Sequence, residues 1–292
     1  MASLIKIMAT PFIDKAPTPE ETTLFQLAMS SFCDGSGQER DTNGITRPGW
    51  RDFERIVAEL LEGFAPENKD IFDIIVPDKN LLNIDYGISL KSKQLGNVNG
   101  VENLASNGRV HMELANSPAK FWMALRTKGV TEEDFRKKKK ADLVGTTLLD
   151  VIRDWHLQSV DRYNSTHSAR TMDLSKSIYM TISYGKPRSE SPRKYQIHSF
   201  SLEFPDNINW KYISDRCLRG YDPLHPEEAL IDWYALSGGQ LKYYPRASIA
   251  KYHSESFELL VPKKISIMER ASVYWPKEWI RAGGRQFKKL KR

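Results

Sequence analysis

The chain has 292 residues, 40% of them hydrophobic and 27% charged, with 43 Lys and Arg against 37 Asp and Glu for a net charge of +6. That composition supports a buried core and excludes wholesale disorder. Two cysteines, Cys33 and Cys217, exclude a disulfide framework and a four-cysteine zinc site. No stretch approaches the roughly 18 apolar residues of a membrane helix, and Met1 to Lys15 lacks the pattern of a secretory signal. A cytoplasmic protein with reduced thiols and no membrane contact is expected.

Pro17 to Cys33 reads as a helix capped by Thr18, with Leu24, Leu27 and Ala28 on one face. Asp34 to Pro48 is a polar, Gly-rich loop. Gly49 to Gly63 is a second helix with Phe53, Ile56, Val57, Leu60 and Leu61 at helical spacing. Phe72 to Val76 reads as a strand, Pro77 to Asn80 as a break, and Leu81 to Lys93 as one or two strands. His111 to Lys128 is helical, with Pro118 either a kink or the first turn of a new helix. Gly145 to Tyr163 is a long helix. Ser177 to Tyr184 and Tyr195 to Phe204 alternate like a hairpin around the loop Lys186 to Lys194. Pro223 to Leu236 is a helical candidate, and Gln240 to Tyr244 and Ser256 to Val261 are strand-like.

Charge is placed unevenly. From Arg281 onward six bases occur with no acid, so Met1 to Ile280 is balanced. The run Arg136 to Lys140 and the loop Lys186 to Lys194 are two further basic patches. Each suits a phosphate backbone or, equally, a solvated face.

The chemistry concentrates between Asp73 and Lys93, DIIVPDKNLLNIDYGISLKSK. On a strand, Ile84, Tyr86, Ile88 and Leu90 share an apolar face. Asp85, Gly87, Ser89 and Lys91 share the other. An acid and a lysine on one strand face suit phosphodiester hydrolysis, because carboxylates hold a hard divalent ion and an ammonium attends the phosphate or the water.

Pro77-Asp78 followed by Ser89-Leu90-Lys91 resembles the PD-(D/E)xK nuclease motif of type II restriction endonucleases, in its Ser-x-Lys form. The resemblance implies a mixed α/β (α+β) core with a central sheet flanked by helices. It implies a Mg²⁺-dependent, sequence-specific endonuclease that cuts double-stranded DNA to leave 5′-phosphates and acts as a homodimer. Lys91 is then the catalytic lysine and Asp78 the first metal ligand. Ser89 stands where the second acid belongs, so a relocated carboxylate is required. Glu113 is the first candidate and Glu102 the second. Asp85 competes with Asp78, but it lies about 20 Å from Lys91 along an ideal strand unless Gly87 bends it. Glu59 is positioned to reach the site from the helix before the strands.

One domain is expected over the whole chain. Its core spans about 49–204, a recognition or dimer elaboration about 205–280, and a basic tail 281–292. Lys93, Arg188, Arg193 and Lys194 are the candidate DNA contacts, with the segment Asn164 to Arg170 a second candidate arm. The six histidines show no zinc spacing. Neither a phosphate loop, a dinucleotide fingerprint nor a serine-hydrolase elbow is present. The rival readings are a structure-specific repair or recombination nuclease of the same fold, and a non-catalytic nucleic-acid-binding protein.

Overall fold

The computed structural model describes residues 9–41, 44–67, 70–95, 101, 104, 108–186, 193–262 and 266–284. Helix α1 (Pro19–Ser30) starts at Thr18, whose hydroxyl takes the Glu21 N–H while Glu21 answers to the Thr18 N–H. This reciprocal cap is legible in the sequence. A two-strand ladder, β1 (Glu39–Arg40) and β2 (Thr46–Arg47), precedes α2 (Trp50–Leu60). The Asp52 carboxylate accepts the Gly49 N–H at the start of α2. Strands β3 (Ile74–Pro77) and β4 (Ile84–Gln94) form a hairpin. Then come β5 (Met112–Ala115), α3 (Pro118–Thr127), α4 (Glu132–Arg136) and the long α5 (Ala141–Thr166). Strands β6 (Thr171–Met172), β7 (Ile178–Tyr184) and β8 (Lys194–Ser201) follow. The C-terminal part holds β9 (Asn209–Tyr212), β10 (Leu218–Asp222), β11 (His225–Trp233), β12 (Leu241–Tyr243), β13 (Tyr252–His253) and β14 (Phe257–Glu258), then α6 (Ile267–Tyr274) and α7 (Pro276–Arg281).

The fold is mixed α and β. The central sheet runs β13-β8-β7-β4-β3, with β6 also on β4 and β14 on β8. Its one long parallel pair, β4 with β7, is joined through a connection containing α5, as parallel strands require. A second, antiparallel sheet runs β5-β12-β11-β10-β9. Each face of the central sheet has its own core. On one side Phe53, Ile56 and Val57 of α2 and Phe25 and Met29 of α1 cover Ile74, Val76, Tyr86, Ile88, Ile178 and Ile197. On the other, α5 and the second sheet pack Leu148, Ile152, Trp233 and Leu241 with Phe72, Tyr179 and Phe200. Removing those side chains from water supplies most of the driving force.

Several expectations change. Leu24 and Leu27 are 53% and 48% exposed, and α1 buries Thr22, Phe25 and Met29 instead. Pro118 begins α3, and the residues before it form β5, not a helix. The helical candidate Pro223 to Leu236 is β11, a strand whose buried end, Leu230 to Trp233, pairs on both sides. Paired neighbours there override the weak helical spacing. Four of the five strands of the second sheet, β9 to β12, lie beyond residue 205. Strand β5, from the expected core, is an edge of the second sheet through its pairing with β12.

Candidate functional site

The hairpin register builds the site. Ile74 faces Ile88, Ile75 faces Gly87, Val76 faces Tyr86 and Pro77 faces Asp85. One step beyond, the Asp73 N–H donates to the Ile88 carbonyl at 2.9 Å. The Asp73 Oδ2 accepts the Leu90 N–H at 2.7 Å. Asp73 therefore sits beside Ser89, Leu90 and Lys91. The Lys91 Nζ donates to the Ser89 Oγ at 2.9 Å. Burial pulls the Lys91 ammonium below its ordinary pKa, against the opposing pull of Asp73, Glu113 and Glu54. Three carboxylates from three elements thus act on one half-buried lysine. They come from the start of β3, from β5 and from the first turns of α2.

Glu113 reaches this point because β5 runs beside β4 at the junction of the two sheets. Its cross-strand partner is Lys242 of β12. Burial first, then Lys93 and Lys242, lower the pKa of His111. Behind Lys91 lies His156, whose Nε2 is 3.1 Å from the Tyr179 hydroxyl. Burial first and Lys91 second push its pKa down to about 4, which keeps it neutral near pH 7.

The two acids singled out beside the hairpin turn lie elsewhere. Asp78 follows the last residue of β3, level with Ile84, so seven residues separate it from Lys91 along β4, about 20 Å. Its Oδ1 accepts the N–H groups of Asn80 (2.6 Å) and Leu81 (2.9 Å), which closes the turn. Burial opposes ionisation there, but those bonds and Lys176 outweigh it and lower the pKa. Asp85 is fully buried, takes the Arg170 guanidinium on both oxygens and accepts the Tyr163 hydroxyl at 2.6 Å. Gly87 does not bend the strand toward Lys91. It makes room for Phe72, whose ring a Cβ at Gly87 would approach to 2.4 Å. Asp78 and Asp85 are structural ligands of their own loops.

The other candidates divide as well. Glu59 is exposed on α2, and Glu54 of the same helix is the residue that acts on Lys91. Lys93 is exposed two residues beyond Lys91. Arg193 is 8% exposed, bonds to Asp41 at 2.7 Å and to Gln94, and lies over the Tyr184 ring. Its guanidinium is taken up by packing inside the fold. Lys194 begins β8 opposite Glu258. Arg170 of the second candidate arm is spent on Asp85. Arg188, Glu102 and the basic tail from Arg285 fall outside the described residues. Both cysteines are buried, and burial, reinforced by nearby aspartates, raises their thiols to about 11 for Cys33 and about 12 for Cys217. Neither is an activated nucleophile.

Sequence reasoning missed Asp73, Glu54 and Lys242. Asp73 was recoverable. A hairpin closed by the break after Pro77 places residue 73 level with residue 89. Glu54 and Lys242 needed the packing of α2 and of the second sheet.

The donor set suits a hard cation. Among the described residues no donor reaches Asp73 Oδ1 or either oxygen of Glu113, and both residues are half-buried. Carboxylate oxygens left without partners beside an ammonium are ligands for Mg²⁺ in preference to a softer metal. A tighter group, His225, Glu227 and Glu228 at the β10–β11 turn, has ligand atoms within 4.8 Å of one another. There Arg109 (2.8 Å) and Arg246 (2.6 Å) already occupy Glu228.

No family model, no curated protein and no solved structure matches this chain. No helix among the described residues is long and apolar enough to cross a membrane.

Proposed function

We propose that this protein is a Mg²⁺-dependent DNA endonuclease, and that its working residues are Asp73, Glu113, Lys91 and Glu54. The observation that carries the reading is that the hairpin register sets Asp73 level with Ser89 and beside Lys91, while β5 brings Glu113 alongside β4. A lone structural lysine in a half-buried place needs one partner. Asp73 Oδ1 and the Glu113 oxygens receive no donor among the described residues, and such acids in a half-buried place cost folding energy unless a cation or a substrate uses them.

Asp73 and Glu113 would hold the divalent ion, which supplies charge stabilisation at phosphorus and a more acidic bound water. Lys91, steered by the Ser89 hydroxyl, places its ammonium against the scissile phosphate and the attacking oxygen. Its lowered pKa eases the loss or sharing of a proton. Glu54 keeps the lysine oriented from the α2 side. Lys93 and Lys242 draw the flanking phosphates toward the acids, which without them would repel the backbone. The Ser89 position fits a chain in which Glu113 takes the part of the missing second acid. Hydrolysis would leave a 5′-phosphate, and duplex DNA carrying a specific sequence is the proposed substrate.

The test is incubation of the purified chain with phage DNA and Mg²⁺, alongside Lys91→Ala. Discrete bands that vanish with EDTA and with the variant support the reading. DNA that stays intact across Mg²⁺ and Mn²⁺ overturns it.

A further inference from the structure

A cavity of about 710 Å³ lies at the β13 edge of the central sheet, between the start of α1 and the chain from 247 to 255. Two imidazoles line it. His198 of β8 and His253 of β13 are cross-strand partners, so their side chains leave the sheet on the same face. Their ring centres lie 5.8 Å apart, with the planes at 37°. Two imidazoles that share one metal ion at about 2.0–2.1 Å, near the tetrahedral angle, set their ring centres roughly 5–6 Å apart. Zinc spacing along the chain does not describe such a pair, because the two histidines meet only through strand register.

Each ring has a nitrogen to give. The His253 Nδ1 lies 3.1 Å from the Ser254 carbonyl. A carbonyl only accepts, so that nitrogen carries the proton and Nε2 keeps its lone pair. A histidine held in this way by a backbone carbonyl is oriented to ligate through its other nitrogen. His198 is 2% exposed and has no hydrogen bond among the described residues. A buried polar ring without a partner calls for one. Its Nδ1 is sealed, whereas Nε2 is not and opens on the cavity. Ligation at Nε2 fixes the proton on Nδ1, on the side of the Thr181 hydroxyl, a cross-strand neighbour that is itself buried without a partner. Burial, then His253, lowers His198 to about 3, so the ring is neutral near pH 7, the form that binds metal.

We propose that His198 and His253 bind one Zn²⁺-like transition-metal ion through their Nε2 atoms, with its remaining positions open to the cavity. Imidazole nitrogen suits Zn²⁺, Ni²⁺ or Cu²⁺, whereas Mg²⁺ prefers oxygen. Glu255 and Lys251, both exposed on the same wall, offset one another in charge, so the two nitrogens decide the choice. The ion would tie β13, an edge strand of two residues, to β8. The site stands whether or not the Lys91 cluster cuts DNA.

The chain, freed of metal with EDTA and returned to a Mg²⁺ buffer, is titrated with ZnCl₂ by calorimetry. Zn²⁺ uptake is expected despite the Mg²⁺, and the ring-proton magnetic resonance signals of His198 and His253 should shift together. His253→Ala removes an exposed side chain and leaves the core intact, and it should weaken uptake on the order of tenfold or more. His225→Ala, at the separate group of ligand atoms with Glu227 and Glu228, should leave it unchanged. Absence of Zn²⁺ uptake overturns the proposal. So does uptake that His253→Ala leaves intact, or uptake that only His225→Ala removes.

Discussion

The backbone N–H of Leu90 donates to the Asp73 carboxylate at 2.7 Å, and this bond carries an acid from the start of one strand to the lysine near the end of the next. It distinguishes the site from the Pro77-Asp78 pair and makes the first prediction. Asp73→Asn should lower Mg²⁺-dependent cleavage by on the order of 10²-fold or more, since it removes a ligand and a local charge. Asp78→Ala should cleave normally and lose only about 1 kcal/mol, the cost of a turn cap. Plasmid nicking rates and urea midpoints measure both. Full activity in Asp73→Asn would discard the proposed centre.

Lys91 offers a test that separates chemistry from folding. Its pKa lies below the unfolded value because burial disfavours the charged form more than the three acids favour it. The unfolded chain therefore binds more protons between the two pKa values, and stability rises with pH across that window. Below it the penalty is present in full. Lys91→Met should abolish cleavage yet raise the melting temperature at pH 7. A lower melting temperature would mean that the acids already stabilise the lysine on balance.

Asp85 predicts the opposite pairing of effects. Arg170 and Tyr163 both close on it. Asp85→Ala leaves a guanidinium and a hydroxyl without their acceptor in a half-buried junction, a loss of about 1–2 kcal/mol. Mg²⁺ affinity, read by calorimetry on the folded variant, should stay within twofold. A large loss of affinity at full stability would return Asp85 to the metal site.

Two buried histidines set the acid limit. Burial, then Lys91, lowers His156 to about 4, and burial, then His253, lowers His198 to about 3. For an imidazole held neutral in the folded state, stability is present in full above the unfolded value near 6.5 and is lost as pH falls toward the folded value. Between pH 6.5 and pH 4.5 each should cost on the order of 2 kcal/mol. Urea midpoints of His156→Gln/His198→Gln should decline less steeply over that range than those of the native chain. Equal slopes would show that other groups govern acid unfolding.

The secondary structure was legible wherever a local rule decided it. The Thr18 cap, the apolar stripe of α2 and the alternating strands at Ile84 to Leu90 and Ile178 to Tyr184 each follow from neighbours within a turn or a pleat. The Ser-Leu-Lys strand stood out by its polar face, whereas Glu113 was named as the relocated acid the resemblance requires, on an expected helix that the structure replaces with β5. Leu24 and Leu27 misled because helical spacing marks an apolar stripe without saying which neighbour covers it. On α1 the sheet takes Phe25 and Met29.

By itself the sequence determined the mixed fold, the strand that carries Lys91 and its apolar and polar faces. Tertiary structure alone decided which acids are brought toward that lysine. Asp73, Glu54 and Glu113 are separated by tens of residues and arrive through hairpin register, helix packing and the pairing of β5 with β12. Asp78 and Asp85 are nearer to Lys91 in the chain, yet an extended strand rises about 3.3 Å per residue and carries them away. Closeness along the backbone and closeness in space are independent once strands run straight and sheets stack.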